Sequence, residues 1–68
     1  MNKIIMIHTA LIKVNGLRES ITLEVAELES MRSGINERQR ANLEMKIANR
    51  KLWIKQLNDI ELELREEL

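Results

Sequence analysis

The sequence predicts an all-α fold: an antiparallel helical hairpin of coiled-coil type, completed by a partner or by homodimerisation. Three observations carry that expectation. Apolar residues form two heptad seams on either side of one glycine-containing turn, the seams match in register across the turn, and the apolar residues spread too far around each helix for two helices to hide. The 68 residues make one unit, 1–68, with helix 1 at about 2–32, a turn at 33–36 and helix 2 at about 37–67. A chain this short buries too little apolar surface to be comfortably stable without support. It has no cysteine, so neither disulfides nor thiolate metal sites supply that support.

Helix 1 is read from Ile4, Ile7, Leu11, Val14, Ile21, Val25 and Leu28, which alternate steps of three and four with one skipped position at Arg18. The β-branched run "KIIMI" has strand character but no second strand to pair with. Asn15-Gly16 is a good turn dipeptide, and a glycine inside a helix costs about 1 kcal/mol relative to alanine. An alternative therefore stands in which helix 1 breaks there and leaves a short N-terminal piece.

The turn lies in "MRSGINERQ". Arg32 supports the closing turn of helix 1, Gly34 is free to adopt the left-handed conformation that stops it, and Asn36 caps helix 2. Gln39, three residues after Asn36, completes the spacing of a capping box. Helix 2 then follows from Leu43, Ile47, Ile54, Leu57, Leu64 and Leu68, with Arg50 and Glu61 as polar exceptions. Each helix has about 30 residues and a length of roughly 45 Å.

The two seams test one another, because facing residues in an antiparallel hairpin have numbers with a constant sum. Here that sum is 68, twice the number of the turn glycine. It pairs Ile4 with Leu64, Ile7 with Glu61, Leu11 with Leu57, Val14 with Ile54, Arg18 with Arg50, Ile21 with Ile47, Val25 with Leu43 and Leu28 with Arg40. On one flank the expected partners are Lys3 with Glu67, Ala10 with Ile60, Leu17 with Trp53 and Glu24 with Lys46. Ala10, Leu17, Trp53 and Ile60 thus form an apolar strip on an open side of the hairpin. Weaker outer stripes come from Met45, Ala48, Leu52 and Leu62 on helix 2 and from Ile5 and Ile12 on helix 1. Exposed contiguous apolar surface of this kind marks an interaction site. The expected partner-binding residues are Ala10, Leu17, Arg18, Arg50, Trp53, Leu57 and Ile60.

Chemistry is poorly represented. His8 is the only histidine and reads as a polar residue at the edge of the seam; with no second histidine and no cysteine, no metal site is expected. Ser20, Ser30 and Ser33 have no histidine placed to activate them, and the two glycines build no phosphate-binding loop. The expectation is a protein that is not an enzyme and has no cofactor. Eleven Lys and Arg balance eleven Asp and Glu, and Trp53 is the sole aromatic residue, which together disfavour nucleic acid as a partner. "MNKIIMIHTALIKV" is interrupted by His8, Thr9 and Lys13, lacks a small-residue cleavage pattern and is too short to span a bilayer, so a soluble cytoplasmic protein without a membrane partner is expected.

Charge is uneven along helix 2. Residues 36–55 hold six basic and two acidic side chains, answered by Glu19, Glu24, Glu27 and Glu29 on helix 1, while five acids and one base follow from Gln56 onward. Glu66 and Glu67 oppose the helix macrodipole, so that end either frays or meets a basic partner. Arg18 opposite Arg50 has two readings: both side chains bend outward with wet guanidinium groups, or an acidic group of a partner sits between them.

Arg32, Gly34 and Gln39 in the turn, with Trp53, Ile54, Leu57 and Ile60 after it, resemble the YscE-like co-chaperones of type III secretion needle subunits, small helical hairpins. Arg50 and Lys51 depart from the small residues that family tends to place in mid-helix. The resemblance implies a protein that pairs with a larger helical-repeat chaperone and helps hold a needle subunit soluble. The chain is also similar in length and hairpin form to the Rop-like homodimeric four-helix bundles that bind RNA. That similarity implies phosphate contacts from Arg38, Lys46, Arg50, Lys51 and Lys55. A purely structural self-assembling bundle is the third reading.

Overall fold

A computed structural model of the chain describes residues 2–68; Met1, included in the predicted unit, lies outside them. Asn2 opens the first helix: its side-chain oxygen accepts the Ile4 N–H at 2.8 Å, satisfying one of the donors that a helix start leaves free. Helix α1 spans Lys3–Ser30 and runs without a break through Asn15 and Gly16. The seam residues on both sides of that dipeptide hold the helix together against its local turn preference.

The end of α1 tightens before the chain reverses. Met31 N–H donates to the Leu28 carbonyl at 3.1 Å and Arg32 N–H to the Glu29 carbonyl at 3.3 Å, which are three-residue bonds of the kind that close a helix. Gly34 then takes φ +79°, the left-handed region that only glycine enters cheaply. Asn36 accepts the Gln39 N–H at 2.8 Å while Asn36 N–H donates to the Gln39 side chain at 3.2 Å, so the capping box is formed in both directions. Helix α2 spans Glu37–Glu66.

The two helices pack against one another as an all-α hairpin of 53 × 15 × 13 Å, with no strand among the described residues. Ile21, Val25, Leu43 and Ile47 are buried in one cluster, as the register pairs them, with Ile47 only 2% exposed. Leu28, Ile54 and Leu57 pack against it, as does Ile35, a turn residue seven positions after Leu28. Ile7 is buried further along the seam.

The free end of the hairpin departs from the expected seam. Ile4, expected to face Leu64, is 53% exposed, and Leu68 lies beyond α2 and is 54% exposed. Near the termini neither helix has a further turn of its partner to lie under.

Candidate partner-binding face

Charged seam residues decide which side of the hairpin is closed by the chain itself. Arg18 and Arg50 do not stand against each other. Arg18 reaches toward the termini, where its guanidinium donates to Glu61 and to Asn58 at 2.9 Å, and also to Asn15 at 2.9 Å. Arg65 holds the other oxygen of Glu61 at 2.9 Å. The Arg18 and Glu61 side chains are half-buried at 25% and 20% exposure, so this is a polar layer within the seam rather than a wet surface pair. The two hydrogen-bonded guanidinium groups hold the Glu61 carboxyl below the usual carboxylate range, Arg18 contributing most and burial opposing the shift.

Nearer the turn, Arg32 makes a two-pronged contact with Glu44, at 2.6 and 3.0 Å, and lies 3.5 Å from Glu29. The hydrogen bond to Glu44 raises the Arg32 pKa, and the same bond lowers that of Glu44, each opposed by desolvation. Lys51 comes within 4.0 Å of Glu29. With the Arg18 layer, these contacts close one flank of the hairpin with groups from both helices.

The opposite flank is different. Arg50 turns to Glu24 and lies over the Trp53 ring, 4.4 Å from its centroid. Glu24 is thus taken by Arg50 rather than by Lys46, its expected partner, because a long arginine one turn away also gains the indole face. At the other end Lys3 meets Glu67 at 2.8 Å, as the register predicts, and this contact holds the Glu67 carboxyl below its ordinary range. The chain's own lysine therefore answers Glu67 at the acidic end of α2.

Between these two ion pairs the flank is apolar and open. Helical periodicity places Ala10 and Leu17 in the α1 row that runs from Lys3 to Glu24, and Trp53 and Ile60 in the α2 row that runs to Glu67. Leu17 is 53% exposed, and Trp53 and Ile60 are each 42% exposed. Ala10 is half-buried. Of the seven expected partner-binding residues, these four lie together on the open flank. Arg50 borders the strip with its charge already paired. Leu57 packs on the internal core, and Arg18 belongs to the polar layer, where acidic and amide groups of this chain surround its guanidinium. The acids that face the two arginines come from this chain, Glu61 for Arg18 and Glu24 for Arg50.

Asn15, Asn58 and Glu61 were not among the expected site residues, although they complete the polar layer. Their signal was present in the sequence as two polar exceptions, Arg18 and Glu61, of opposite charge in otherwise apolar seams. Outside the strip, His8, Asn15, Arg18, Glu61 and Arg65 line a shallow cavity of about 440 Å³ with Leu11 and Ile12. No described helix is long and apolar enough to cross a membrane, and no three His, Cys, Asp or Glu side chains among the described residues are grouped to hold a metal ion. No protein-family pattern, curated protein or solved structure matches the chain.

Proposed function

We propose that this protein is a non-enzymatic interaction module whose open flank packs against helices from outside the chain. The observation that carries the reading is the asymmetry of the two flanks. One is closed by Arg18, Glu61, Arg32 and Glu44, while the other keeps Leu17, Trp53 and Ile60 exposed between paired charges. An apolar strip framed by a polar rim suits helix-in-groove recognition, with the aromatic residue as anchor.

The narrower form of the proposal is a cytoplasmic co-chaperone that binds a helical-repeat chaperone and helps keep a type III secretion needle subunit soluble. It rests on the turn and second-helix residues named above. Gly34, Gln39 and Arg32 each have a local task in the hairpin as well: the left-handed turn, the capping box and the Glu44 contact.

Co-expression of the tagged chain with a helical-repeat chaperone and its needle subunit tests the narrow form, and Trp53→Ala tests the face. Stable co-purification that resists high salt, weakened by about 2 kcal/mol or more in Trp53→Ala, is the expected result. Association that falls steeply with salt and ignores Trp53→Ala would point to a charged site elsewhere.

A further inference from the structure

We infer that the helices covering the open flank belong to a second copy of this chain, which makes the working unit a symmetric four-helix bundle. This rests on the broad form of the proposed function, an open flank packed against outside helices, and names a second copy as the occupant in place of the helical-repeat chaperone of the narrower form. From the free end toward the turn, α1 presents Lys3, Ala10, Leu17 and Glu24 at successive heptads, and α2 presents Glu67, Ile60, Trp53 and Lys46. The Lys3–Glu67 contact sets the two rows level.

Such a face is complementary to itself. A two-fold axis along the hairpin places each row of one copy against the other row of its mate, so that lysine meets glutamate at both ends and Leu17 meets Trp53 in the middle. A two-fold across the hairpin is also satisfied, because each row carries opposite charges at its two ends with apolar groups between them. Isologous contacts require this property, in which one patch serves both sides. Equal numbers of acidic and basic residues also leave the two copies without net repulsion.

The exposed area leaves room for an interface of standard size. A compact monomer of 8.0 kDa is expected to expose about 4,450 Å². The hairpin exposes 5427 Å². The excess, roughly 1,000 Å² per chain, is close to the roughly 800 Å² that each partner contributes to a stable interface of standard size.

Sedimentation equilibrium of the full chain, from micromolar to millimolar concentration with helicity followed in parallel, tests the inference. The expected mass is twice 8.0 kDa. Leu17→Glu puts a charge at the centre of the face but at a position 53% exposed in the single hairpin, and it raises the dimer dissociation constant roughly thirtyfold or more. Leu17→Ala, which preserves helix propensity, weakens it in the same direction. Leu52→Glu, on the outer row of α2 at 50% exposure, leaves it unchanged. A helical wild-type chain that stays at 8.0 kDa throughout would overturn the second copy. So would a dimer indifferent to both Leu17 substitutions, or one lost in Leu52→Glu. If that monomer shields Trp53 only when a helical protein is added, the proposed function survives without the second copy; if nothing shields Trp53, both fail.

Discussion

Ile47→Ala probes the internal seam most severely. Ile47 is the most enclosed side chain of the core at 2% exposure, and it shares a cluster with Ile21, Val25 and Leu43. Truncation at Cβ removes three carbon groups, a transfer loss of about 2.4 kcal/mol at ~0.8 kcal/mol each. A residual void adds to this, but a two-helix core collapses more readily than a deep one, so the total is expected near 3 kcal/mol. A chain of this length has roughly 3–10 kcal/mol of stability in all. Urea unfolding followed by far-UV circular dichroism, at one fixed chain concentration because association is coupled to folding, measures the change. With a slope of about 1 kcal/mol per molar urea, the midpoint falls by roughly 3 M or the variant is unfolded at the outset. Leu52→Ala, on the exposed outer face, costs less than about 0.5 kcal/mol in the same assay. Equal losses in the two variants would refute the assignment of inside and outside.

The two glycines predict opposite signs. Gly34→Ala forces a side chain into φ +79° and costs about 1 kcal/mol, whereas Gly16→Ala, in mid-helix with open space where the Cβ would stand, stabilises by about 1 kcal/mol; the two urea midpoints move apart. Asn36→Ala removes the acceptor at the start of α2 and lowers stability by about 1 kcal/mol in the same measurement. Glu44, Glu61 and Glu67 all have folded-state pKa values lowered below 4.5, so their contribution is complete above the unfolded value and is lost as pH falls through the lower folded values. An acid titration of stability should therefore decline below about pH 4.5, and Glu61→Gln should reduce both the neutral plateau and the steepness of that decline.

Repetition made the hairpin legible in the sequence. Ile21 with Ile47 and Val25 with Leu43 follow from spacing and one turn glycine, and those four are the buried cluster. Spacing assigns each side chain to its own level, and long side chains do not obey that assignment. Arg18 leaves its level to reach Glu61, and Arg50 takes Glu24 from Lys46, because an extended guanidinium seeks a carboxylate within about a turn or two of helix. Asn15-Gly16 illustrates the converse case. Its local preference for a turn is worth about 1 kcal/mol, less than the packing of the seam on both sides of it. Ile35, seven residues after Leu28, keeps the seam's spacing but lies past the end of α1, where a pattern read within the helices stops. Of the candidate face, Ala10, Leu17, Trp53 and Ile60 were legible because seven-residue spacing collects them on one side, whereas the polar closure of the other flank depends on side-chain reach.

The chain folds back at Gly34 with one apolar flank exposed, and Trp53 reports on that flank directly because it is the only aromatic residue. Acrylamide quenching of its fluorescence, measured across a dilution series of the purified chain, is the sharpest test. Trp53 should be shielded at high concentration and become accessible on dilution, approaching the partial exposure of the single hairpin. Accessibility that is the same at every concentration would contradict self-coverage. Accessibility that is high throughout, with or without added helical protein, would contradict the claim that the flank is covered at all.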